Sequence, residues 1–102
     1  MALDLNVRQE RLAINATSKT VAVMKFPTDK RKVLYLRNTS PNAVDIITVA
    51  FSSNESAVAN VGIVLKQNDQ YIETTGEGFE AWQGAVQAIC ATADGQLTIL
   101  ER

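Results

Sequence analysis

No histidine occurs anywhere in this sequence, and cysteine occurs once. The first absence removes the usual general base near neutral pH and the commonest metal ligand. The second excludes an intrachain disulfide and a thiolate metal cage. Cys90 has no imidazole to ionise it, so it is expected to be a buried, inert, small hydrophobe. Two prolines and five glycines among 102 residues exclude collagen-like and low-complexity classes. No apolar run approaches the roughly 20 residues of a membrane span. The N-terminus lacks the unbroken apolar core of a signal peptide and carries Asp4 where a positive flank is needed. The expectation is synthesis in the cytoplasm, a reduced Cys90, no membrane partner and no cofactor.

What is present is β-grammar. With 46% hydrophobic residues, the chain is long enough for one modest core and too short for two. Short runs rich in Val, Ile, Leu and Tyr recur at roughly ten-residue spacing. They predict strands over 11–14, 20–26, 32–37, 45–51, 62–66, 70–74, 79–82, 85–91 and 96–101. Val33-Leu34-Tyr35-Leu36 is apolar at every position, which predicts a central strand covered on both faces. In 20–26, Val21 and Val23 share one face. Pro27-Thr28-Asp29 and Ser40-Pro41-Asn42 read as turns, and Gln67-Asn68-Asp69 and Ala93-Asp94-Gly95 as hairpin loops. The fold class is all-β: an antiparallel, jelly-roll-like β-sandwich of about 8 strands. Ser52-Ser53-Asn54-Glu55 matches a capping box, so a single helical turn near 53–59 is the one expected exception. Residues 1–10 form an N-terminal arm or first strand, and 11–102 the single sandwich domain.

Charge is uneven. Residues 1–37 carry eight Lys and Arg against three acids, a net +5; residues 38–102 carry two against eight, a net −6. Interleaving of strands from both halves is expected to mix these charges. The run Asp29-Lys30-Arg31-Lys32 reads as a solvated loop that guards a strand edge. With a pI of about 5.3 and one aromatic nearby, it does not read as a nucleic-acid site. Glu73, Glu77, Glu80 and Asp94 read as a solvated rim, because no calcium loop pattern holds them and a small sandwich offers no sugar cleft. The sequons at Asn15, Asn38 and Asn54 read as turn chemistry. A regular strand at 79–82 would turn Phe79 and Trp82 to opposite faces, with Trp82 the better interface anchor.

The order of segments in the C-terminal two-thirds carries a resemblance. It runs from Lys32-Val-Leu-Tyr-Leu-Arg-Asn38 to Gly62-Ile-Val-Leu65, Gln67-Asn-Asp-Gln-Tyr71, Gly78-Phe79, Trp82-Gln-Gly84, Ala88-Ile89 and Leu97-Thr-Ile-Leu-Glu101. This resembles small β-sandwich virion proteins of tailed bacteriophages, of the head decoration (cement) type. The resemblance covers residues 32–101 and rests on spaced strands and turns, with no catalytic signature. It implies a structural, non-enzymatic protein that stabilises the capsid surface by contacts with the major capsid protein. It also implies a symmetric homo-oligomer, a trimer among the arrangements. The expected interface residues are the alternating arm Leu3, Leu5, Val7 and Arg8, the basic rim Lys30, Arg31 and Lys32, and Trp82. The competing expectation is a glycan- or receptor-binding module of a fibre or tail, with Trp82 exposed beside acids.

Overall fold

Alternation of apolar and polar residues dictates eight strands, and the computed structural model, which describes residues 8–23, 30–52 and 56–102, places them as follows. They are β1 (Arg8–Ile14), β2 (Lys19–Ala22), β3 (Val33–Asn38), β4 (Ile47–Phe51), β5 (Ile63–Leu65), β6 (Gln70–Thr74), β7 (Val86–Cys90) and β8 (Gly95–Glu101). Two antiparallel sheets result, in the orders β1-β8-β3-β6 and β2-β7-β4-β5. Below they are sheet A and sheet B.

These orders have a simple origin. Fold the chain once at its middle, and β4 meets β5, β3 meets β6, β2 meets β7 and β1 meets β8. All four pairings are present. Rolling that long hairpin then brings β8 beside β3 and β7 beside β4. This is the jelly-roll order. Consequently Gln67-Asn68-Asp69 and Ala93-Asp94-Gly95 are not hairpin loops. Each carries the chain from one sheet to the other, from β5 to β6 and from β7 to β8. The β5–β6 turn is set by Asn68 at φ 69° and by Asp69, whose N–H donates to the Lys66 carbonyl at 2.9 Å.

The core lies between the sheets, where Ile14, Leu34, Leu36, Ile47, Val49, Val86, Leu97 and Ile99 are fully buried. Cys90 lies among them, on the same face as Val86 and Ala88, as its alternation predicts. Interleaving also mixes the charged halves, since basic β1 pairs with the C-terminal β8.

Four details depart from expectation. In β3 burial strictly alternates, so it is central but covered on one face only. A register shift between Thr20 and Ala22 turns both Val21 and Ala22 inward and leaves Val23 exposed. Residues 79–82 form no strand. Phe79 makes only an isolated bridge to Gly76, and the N–H groups of Ala81 and Trp82 donate to the Thr75 and Glu73 side chains. Residues 56–61 form a turn closed by the Val58–Val61 bridge, with no helix among the described residues; Ser53 to Glu55 lie outside them.

Gly95, the buried first residue of β8, sits where the sheets converge. A Cβ there would lie 2.6 Å from Cys90 Sγ and 2.7 Å from the Ile14 carbonyl oxygen. Gly95→Ala is expected to lose about 1–3 kcal/mol as an overpacked site. In a Cys90→Ala background the loss should shrink in part, because the Sγ contact is gone while those with the Ile14 carbonyl oxygen and the Cβ of residue 90 remain. Urea denaturation of the three variants measures this, and full additivity would refute the steric account.

Candidate functional site

The three consecutive basic residues of the 30–32 segment have three different fates. Lys30 is exposed and pairs with Glu80 at 3.1 Å. Lys32 is exposed beside β3, its N–H donating to the Arg102 carbonyl at 2.5 Å. Arg31, expected in the solvated rim, is 1% exposed. Its Nε and Nη2 reach Glu101 Oε1 at 2.8 and 2.6 Å. Nη2 also donates to the Val23 carbonyl at 3.0 Å, and Nη1 to the carbonyls of Trp82 and of Gly84, the latter at 3.3 Å. The Arg31 backbone is held as well: Gln83 Oε1 accepts its N–H at 2.6 Å, and Gln83 Nε2 donates to its carbonyl at 2.5 Å.

Glu101 is shared. Its Oε2 accepts Arg8 Nη1 at 2.8 Å, and Arg8 also holds Glu10 at 2.7 Å and the Val21 carbonyl at 3.1 Å. Burial works to lower the Arg8 pKa, but hydrogen bonds to Glu101 and Glu10 and their negative charge outweigh it and raise it. A pocket of about 290 Å³ beside β2 is lined by Arg8, Thr20, Val21, Ala22, Val23 and Glu101. Its charged groups are turned on each other. The Arg8–Glu101–Arg31 group is therefore a clamp across the strand ends, and its donors are consumed inside the fold.

Of the other singled-out residues, Phe79, Glu77 and Asp94 are exposed, and the following are engaged or buried. Cys90 is buried, with Sγ 3.6 Å from Thr92 Oγ1. Trp82, expected as an interface anchor, is half-buried and packs against the core. Its ring stacks on Phe51 with centroids 6.0 Å apart, and Nε1 donates to the Ala85 carbonyl at 2.9 Å. Phe79 is the exposed member of that pair. Glu73 is no rim acid: it accepts the Trp82 N–H at 2.9 Å and the Tyr71 hydroxyl. The bond to Glu73, with burial, pushes the Tyr71 pKa up to about 12. Asn38 is buried, and Asn15 Oδ1 accepts the Thr17 N–H at 2.9 Å, so both serve turns. Leu3, Leu5, Val7 and Asn54 lie outside the described residues. Among the described residues no helix is long and apolar enough to cross a membrane.

The outer face of sheet A spends little of its side-chain chemistry on the fold: the Tyr35 hydroxyl donates to Gln70 Oε1 at 3.0 Å, and the Thr39 and Thr98 hydroxyls share a bond of 2.9 Å. Register places Gln9, Leu100, Tyr35 and Ile72 in one row, and Arg11, Thr98, Arg37 and Gln70 in the next. The first row is apolar at its centre, with Ile72 55% exposed. The second is basic, and no Asp or Glu occupies an outward position of these strands. Arg37 Nε is buried and has no hydrogen-bond partner among the described residues. Sequence reasoning missed this face because the unbroken apolar run at 33–36 hides which members point outward. The signal was Tyr35 and Arg37 at alternate positions.

No known protein family, curated protein or solved structure matches the chain.

Proposed function

We propose that the protein is a structural contact module without catalytic function, a decoration subunit that docks on the repeating protein surface of a phage capsid. The observation that carries the docking part is the outer face of sheet A, an apolar row bordered by acid-free arginines. Such a face fits an acidic, partly apolar protein surface, where aromatic and arginine anchors concentrate binding. The inward use of Arg31, Glu101, Glu73, Trp82 and Cys90 supports the non-catalytic part, because their chemistry is already occupied by the fold. The capsid setting comes from the sequence resemblance alone. Jelly rolls serve unrelated functions, so the topology adds nothing to it. On this reading the protein is made in the host cytoplasm and resides on the virion surface. The contact-module reading is preferred to a glycan-binding module because the half-buried Trp82 ring is stacked on Phe51.

The test is co-sedimentation of purified protein with shells of the phage that encodes it, followed by cryo-EM of the particles. Wild type is expected to bind in a salt-sensitive manner. Arg11→Glu with Arg37→Glu should weaken binding at least about tenfold through charge repulsion. Failure of the wild type to co-sediment, with no matching density on virions, would end the proposal.

A further inference from the structure

Among the described residues four strands lie at the sheet edges, β1, β6, β2 and β5, and three of them are guarded. β1 carries Arg8, Glu10 and Arg11 along its length. β2 has four residues, begins with Lys19 and breaks register at Val21. β5 has only three residues, and the preceding turn lies against its neighbour, with Asn60 N–H donating to Thr48 Oγ1 at 3.0 Å. Charges, bulges and brevity are the devices by which natural sheets avoid edge-to-edge pairing. β6, Gln70-Tyr71-Ile72-Glu73-Thr74, has none of them. It contains no lysine, arginine, proline, glycine or bulge, and its single charge, Glu73, is turned inward onto Tyr71 and Trp82.

The hydrogen bonds at the two ends of the β3–β6 pair fix which backbone groups β6 leaves open. Asn38 N–H donates to the Asp69 carbonyl at 3.0 Å, and Thr75 N–H donates to the Lys32 carbonyl at 2.7 Å. Antiparallel bonding alternates along a strand. Tyr71 and Glu73 therefore face β3, while the N–H and C=O groups of Gln70, Ile72 and Thr74 point to the free edge. All three of these residues are exposed.

We propose that β6 is a homodimerisation edge, pairing antiparallel with β6 of a second copy about a two-fold axis through Ile72. The sequence is self-complementary in that register. Ile72 faces the partner's Ile72, Gln70 faces the partner's Thr74, and Tyr71 faces the partner's Glu73, so no like charges oppose one another. The three open residues supply about six backbone hydrogen bonds across the axis, two for each hydrogen-bonded pair. The pairing merges the two four-stranded sheets into one. It also extends the apolar row Leu100–Tyr35–Ile72 straight across the axis, covering the exposed apolar member of that row. A second copy is the occupant that this register selects, because an unrelated strand has no reason to match it at every position. The inference is independent of the capsid reading and stands or falls separately.

Sedimentation velocity and light scattering test it with the full chain. Wild type is expected to be a concentration-dependent dimer. Ile72→Lys and Ile72→Glu, both at an outward site, should each raise the dimer Kd at least about tenfold. Their equimolar mixture should recover a mixed dimer, because residue 72 then meets its opposite charge across the axis. Thermal melts of both variants close to wild type confirm that the fold persists. Hydrogen exchange gives a readout without mutation: the Gln70, Ile72 and Thr74 amides should be protected at high concentration and exchange freely on dilution. A wild type that stays monomeric, a trimer, variants that dimerise as wild type does, or a mixture that fails to recover the dimer would each overturn the proposal.

Discussion

Replacing Arg31 by methionine is expected to destabilise the protein by about 3–5 kcal/mol, the cost of breaking a buried ion pair from one side. The Arg31 and Glu101 side chains are 0% and 3% exposed. Methionine fills much of the space but returns none of the hydrogen bonds. Glu101 loses its Arg31 contacts on Oε1 while Arg8 still holds Oε2, and the carbonyls of Val23, Trp82 and Gly84 lose their shared donor. For a domain of this size each kcal/mol moves Tm by roughly 4–8 °C, so the shift should exceed about 12 °C. Removing both partners, as Arg31→Met with Glu101→Leu, should cost less than the sum of the two single changes, because no uncompensated charge remains buried. Thermal and urea denaturation of the four proteins reads the cycle. A single Arg31→Met loss under about 1 kcal/mol would show that solvent already screens the clamp.

This residue marks where sequence reasoning stops. Strand positions were legible because alternation is local: Val86, Ala88 and Cys90 point one way from their own spacing, whatever they pair with. The eight-stranded sandwich was legible for the same reason. Burial of a charge is not a local property. Arg31 sits between two exposed lysines in a polar run, and its partner Glu101 lies 70 residues on. Nothing in either neighbourhood announces the other. The turns failed similarly. Gln67-Asn68-Asp69 has hairpin chemistry, but whether its flanking strands pair or enter opposite sheets depends on what lies beside them. Trp82 was misplaced because 79–82 has strand composition, while its N–H groups satisfy themselves on the Thr75 and Glu73 side chains in place of a neighbouring strand. The outer face of sheet A was half legible: its residues were assigned to strands, but only register lines them up.

Asn38→Ala is the second substitution expected to be severe, at about 3–5 kcal/mol, and here no formal charge is involved. Asn38 ends β3 with 0% exposure, at the end of the sandwich where the chain crosses between sheets. Its Nδ2 donates to the carbonyls of Asp45 at 2.7 Å and Leu65 at 2.9 Å, and its Oδ1 accepts the Ser40 N–H at 3.0 Å. One side chain thus ties a strand of sheet A to the last residue of β5 in sheet B and to both ends of the connection towards β4. Alanine leaves two carbonyls and an amide without their partner, each costing about 1–3 kcal/mol if water cannot replace it. Asn38→Asp separates this account from simple loss of packing. The carboxylate still accepts from Ser40, but it turns a negative oxygen towards two carbonyls in a buried site. Its folded pKa should therefore be raised above the unfolded value of about 3.9. A raised folded pKa gives stability that is present below the unfolded pKa and lost as pH climbs through the folded one. The Asn38→Asp deficit relative to wild type should accordingly be larger near pH 7 than near pH 4, whereas the Asn38→Ala deficit should not follow that trend. Urea denaturation at the two pH values decides it, and a pH-independent Asn38→Asp deficit would mean that Nδ2 does not face those carbonyls in solution.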